Sequence, residues 1–81
     1  MEKLEELDLD GLNNGTYRDV FVGDEVFRLE RYVNGSIGIS FYYSTLLGTI
    51  LITLIDEMKR KGYIIWNVAF DLRQMHFVKE E

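Results

Sequence analysis

The sequence predicts a small α+β domain, and three stretches predict it. Residues 44–62, STLLGTILITLIDEMKRKG, carry the spacing and the ends of one long helix. Residues 16–43 alternate like strands and are broken by turn signals at Gly23-Asp24 and Asn34-Gly35. Residues 63–79 alternate again, directly after a glycine. The expected order is (α)-β-β-β-α-β: a three-stranded antiparallel meander and a C-terminal strand, packed on one helix in a single domain over residues 1–81.

The helix is the best-specified element. Ser44 can cap its first amides, and Gly62 can close its last turn. Asp56 and Glu57 precede Lys59, Arg60 and Lys61 by the spacing that allows ion pairs, and the cations suit the negative end of the helix dipole. Turning 100° per residue places Leu46, Leu51 and Leu54 on a side that can cover a sheet. Gly48, Ile52 and Ile55 are left over on the adjoining side, and we read them as the seam of a homodimer.

The meander can be registered from its side chains. A turn at Gly23-Asp24 sets Asp19 opposite Arg28, Val20 opposite Phe27 and Phe21 opposite Val26. A two-residue loop at Asn34-Gly35 would put Ile37, Ile39 and Phe41 on the face opposite Leu29. A three-residue loop, Val33-Asn34-Gly35, pairs Leu29 with Ile39 and Phe27 with Phe41, and keeps the apolar residues together. It also sets Arg31 beside Ile37 on the core side, with its head expected to reach past the sheet end.

The two ends are less regular. Residues 1–15 read as a short acidic helix or tail, and their Asp and Asn residues do not fit a calcium loop, because Leu12 and Asn13 fall where a polar ligand and a glycine belong. In residues 63–72, Trp66 alternates in phase with Ile64, Val68, Phe70 and Leu72, which puts Tyr63, Ile65, Asn67 and Ala69 on the outer face. Met75 and Phe77 are out of step, so a bulge or bend is expected near Arg73. As one strand, residues 63–79 would run about 55 Å, too far for so small a domain, so the end bends back or reaches a second subunit.

Composition removes several chemistries. There is no cysteine and one histidine, His76, so disulfides, thiolate sites and a histidine metal cluster within one chain are excluded. The net charge is −5, and residues 1–30 hold nine acids against Lys3, Arg18 and Arg28. That field opposes nucleic acid and anionic membrane and suits a basic protein surface. The acidic opening MEKLEELDLD lacks the basic-then-apolar pattern of a secretory leader, so a cytoplasmic protein is the expectation.

No phosphate loop, nucleophile elbow or Ser/His/Asp set is present, and no cofactor or metal is expected. The main reading is a small acidic protein-binding module, of the kind virus- or mobile-element-encoded inhibitors often are. It would act as a homodimer by occupying a basic surface of its partner, through Glu5, Glu6, Asp8, Tyr17, Arg28, Tyr32 and Tyr42. Tyrosine and arginine on one surface are what interfaces enrich. A second reading is an oligomeric metal-dependent hydrolase, nuclease or ligand-binding protein, with an intersubunit site built from Glu30, Asp71, Arg73 and His76. A third is a single membrane span over the uncharged residues 37–55, against which seven glycines and hydroxyl residues count.

Overall fold

The computed structural model describes residues 6–22, 25–42, 48–69 and 73–80, with the backbone alone for 48–51. It is a small α+β domain with one helix and a five-stranded antiparallel sheet. The strands are β1 (Thr16–Val22), β2 (Glu25–Arg31), β3 (Ile37–Phe41), β4 (Tyr63–Ala69) and β5 (Gln74–Lys79), with helix α1 (Gly48–Arg60) between β3 and β4. The spatial order is β1-β2-β3-β5-β4. The Gly23-Asp24 turn, Ser44 and its neighbours to Leu47, and residues 70–72 lie outside the described residues.

The first three strands pair as their side chains dictate. Asp19 faces Arg28, Val20 faces Phe27 and Phe21 faces Val26. Phe27 faces Phe41, Leu29 faces Ile39 and Arg31 faces Ile37. The Tyr32 amide donates to the Ser36 carbonyl at 2.9 Å, and Gly35 takes a φ of 90° inside the three-residue loop. A shift of one residue would have exposed Leu29 or Ile39, both of which are buried.

The expected order is corrected at the C-terminus, where the single long strand is a hairpin. The chain runs in opposite directions in β4 and β5, and Arg73, the residue before β5, takes a left-handed φ of 55°. β5 then inserts between β3 and β4, antiparallel to both. Burial is the reason. Insertion sets Met75 against Ile39 and Phe77 against Ile37, and both side chains lose all contact with solvent. Each such burial contributes roughly 1.5–3 kcal/mol. The bulge lies earlier than expected, between Ile65 and Asn67.

That bulge corrects the assignment of faces. Tyr63 is buried in the core, not on the outer face, and Ile65 packs against the core. Trp66, expected in phase with the apolar series, is 70% exposed. Trp66 is the extra residue of the bulge, and the pairing resumes with Asn67 opposite His76.

One face of the sheet is covered. Leu54 and Met58 of α1 are buried there, and the helix lies closest to β4. Leu7, Leu9 and Leu12 cover the rest from a segment of turns over the described residues 6–15, where the sequence predicts a short helix or a tail. Asp8 accepts from the Gly11 amide at 3.0 Å and shapes one of those turns. Arg31 holds the segment down. Its head does not pass the sheet end but turns inward, where Nη2 donates to the Leu9 carbonyl at 2.6 Å and to the Tyr63 hydroxyl at 3.0 Å. Residues 37–55 are shared between β3 and α1, and no helix of the described residues is long and apolar enough to cross a membrane.

The Arg31 anchor gives a stability prediction. Tyr63→Phe removes one partner of a largely buried guanidinium and should cost about 1 kcal/mol. Arg31→Ala also strands the Leu9 carbonyl and releases the segment, and should cost roughly 2–3 kcal/mol. Urea denaturation checks both. Equal midpoints for Arg31→Ala and wild type would show that the anchor carries no load.

Candidate functional site

Both covers lie on the core face, and among the described residues nothing covers the other face of the sheet. Alternation along β1 and β2 points Tyr17, Asp19, Phe21, Val26, Arg28 and Glu30 to it, and Ser40 and Tyr42 come from β3 and its end. Tyr17 and Phe21 keep more than half their surface in solvent. β5 and β4 add Gln74, His76, Ile64 and Trp66.

Two groups of side chains organise this face. In the first, Arg28 stacks on the Tyr17 ring at 4.2 Å, and its Nε donates to the Tyr42 hydroxyl at 3.2 Å. The Tyr42 hydroxyl in turn donates to Asp19 Oδ1 at 2.7 Å. The network follows from pairing, because Asp19 and Arg28 are opposite one another and Tyr42 extends the strand next to Arg28. The hydrogen bond to Asp19 raises the Tyr42 pKa above the ordinary 10, against the opposing pull of Arg28. The bond to Tyr42 holds Arg28 protonated more firmly than usual.

The second group is aromatic. Tyr32 lies over Gly38, where an added Cβ would stand 2.6 Å from the tyrosine oxygen, so only glycine admits the ring at this height. The Tyr32 ring is 5.9 Å from His76, and His76 is 6.3 Å from Trp66, edge to face. With Val33, Asn34 and Ser36 these rings line an open groove of about 630 Å³. Burial first, then the charge of Glu30, raises the Tyr32 pKa above 10. His76 Nδ1 is buried there and has no hydrogen-bond partner.

The structure distributes the expected site residues as follows. Tyr17, Arg28 and Tyr42 come together in the first group, and Tyr32 belongs to the second. Glu6 and Asp8 are exposed on the segment that covers the core, on the opposite side of the sheet, and Glu5 lies outside the described residues. Glu30 and His76 share the open face but are two strands apart, roughly 10 Å, with Gly38 between them. Arg73 is bound at the end of β3, donating from Nη1 to the Tyr42 carbonyl at 2.9 Å. Asp71 lies outside the described residues. Among the described residues no three acidic or histidine side chains are grouped to hold a metal ion.

Of the expected dimer seam, Gly48 is the first residue of α1, Ile55 packs against the core and Ile52 is 62% exposed. Trp66 was missed as a site residue because its outward position depends on the bulge. The one signal for it in the sequence is that Tyr63 and Ile65 can take the core phase while Val68 continues it only after an extra residue. Comparison with protein-family models, with curated proteins and with solved structures finds no match for this chain.

The first group predicts a titration. Tyr42 should lose its proton only above pH 10, and Asp19→Asn should lower that value by removing the anionic acceptor. A raised folded value stabilises the fold below the ordinary tyrosine pKa, and the contribution is lost as pH climbs through the folded one. Carbon NMR of the tyrosine rings at alkaline pH resolves the residue, and an unchanged Tyr42 titration in Asp19→Asn would contradict the network.

Proposed function

We propose that this chain is a protein-binding module that docks through the open face of its sheet. The observation that supports it most is Trp66, with 70% of its surface in solvent on a face that also exposes Tyr17 and Phe21. Large aromatics gathered on an uncovered face are rarer on a monomer surface than at an interface, where they dominate binding energy. The net charge of −5 suits a partner with a basic surface, and an inhibitor would work by occupying that surface.

The acidic residues of the N-terminal segment are assigned a lesser part here, because Glu6 and Asp8 stand on the other side of the sheet. A homodimer remains part of the proposal through Ile52, an exposed isoleucine on α1. Light scattering of wild type and Ile52→Glu decides that point, with one protomer mass for both if the seam is not used.

Once the partner has been isolated from the native cell, Trp66→Ala and Tyr17→Ala should each weaken binding roughly tenfold or more. Both residues are exposed, so the melting temperature should move little. Charge reversal of Glu6 and Asp8 should mainly slow association. Binding indifferent to both Trp66 and Tyr17 would refute the assignment of the face.

A further inference from the structure

We infer that the groove between Tyr32 and Trp66 receives a cationic side chain of the partner, arginine above all. The inference rests on the docking reading above and names the chemistry of its contact. Tyr32, His76 and Trp66 form a continuous run of ring contacts, so a planar cation entering the groove they line meets aromatic surface. Aromatic faces attract cations through their quadrupole, tryptophan most strongly, and guanidinium adds stacking to that attraction.

The same face already contains the interaction within the chain. Arg28 packs its guanidinium over the Tyr17 ring at 4.2 Å and donates to the Tyr42 hydroxyl. In the groove the rings are present, but among the described residues no arginine or lysine stands over Tyr32 or Trp66.

Charge and hydrogen bonding agree. Glu30 stands opposite Gly38, the residue that Tyr32 lies over, and its negative charge acts on the Tyr32 phenol. Ser36, whose Oγ donates to Asn34 Oδ1 and keeps its own lone pairs, lines the groove with Tyr32, and guanidinium is a donor with no acceptor of its own. An uncharged planar ligand would gain the stacking without the charge. An anionic one would meet Glu30 and a chain of net charge −5.

Trp66 is the single tryptophan, so its fluorescence reports the groove directly. The probes are N-acetyl-arginine amide and N-acetyl-citrulline amide, which differ in charge and hardly in shape. The arginine probe should shift Trp66 emission saturably, and the citrulline probe should bind roughly fivefold more weakly or worse. Glu30→Gln and Tyr32→Leu should weaken the arginine response by a similar factor, whereas Lys59→Ala, exposed on the helix at the covered side of the sheet, should leave it unchanged. Circular dichroism verifies that each variant is folded.

Equal binding of the two probes, no saturable response, or tighter binding of thymidine than of the arginine probe would overturn the inference. Those outcomes leave the docking reading intact if the isolated partner still depends on Trp66 and Tyr17. Loss of that dependence would refute the docking reading whatever the amino-acid probes do.

Discussion

The fold depends on where one guanidinium is held. Arg31 projects from β2 into the covered side of the sheet, and a charge so placed must be matched by acceptors. Nη2 finds them in the Leu9 carbonyl and the Tyr63 hydroxyl, which belong to the N-terminal segment and to the far edge strand, while the buried Nε has no hydrogen-bond partner among the described residues. Helix α1 has 13 residues and a diameter of about 10 Å, enough to cover about two strands of the five. It lies beside β4, so β1 and β2 need another cover. Leu7, Leu9 and Leu12 provide it, and Arg31 fastens it.

With both covers drawn to one side, none of the described residues covers the other face of the sheet. An antiparallel sheet tolerates this when its outer residues are polar. Here the outer residues include Tyr17, Phe21, Tyr32 and Trp66, and the polar ones are partly spent on one another, as Arg28, Tyr42 and Asp19 are. The face is therefore ordered before any partner arrives. A stacked and hydrogen-bonded Arg28 has already given up much of the rotamer freedom that docking would otherwise take from it.

How far the sequence revealed this depended on how local the deciding interaction was. Leu29 with Ile39, and Phe27 with Phe41, are neighbours across one short loop, and a slip there would expose them. Pleat parity alone chose the register. Leu54 was legible for a similar reason, since helical spacing puts it on the side that covers the sheet. Residues 63–79 were not. Whether they form one strand or two depends on Met75 and Phe77 meeting Ile39 and Ile37, more than thirty residues away. The phase break was visible, but it had two causes, a bulge at Ile65/Asn67 and a reversal between β4 and β5, and alternation cannot separate them. The leucines at 7, 9 and 12 fit neither period well and were placed by tertiary contact alone.

The candidate site divides along the same line. Tyr17, Arg28 and Tyr42 could be grouped from the meander, whereas Trp66 and His76 reach Tyr32 only because β5 enters between β3 and β4. The placement of charge changes most. The domain measures 28 × 25 × 21 Å, and charges in water at physiological salt are screened over about 8 Å. Glu6 and Asp8, on the covered side, can therefore do little for a partner seated on the open face beyond weak steering. Among the described residues, the open side of β1 and β2 offers such a partner Asp19, Arg28 and Glu30 at contact distance. Asp19 and Arg28 are joined through Tyr42 and largely cancel. Of these three, Glu30 is left to set the sign, and it lies beside the aromatic groove.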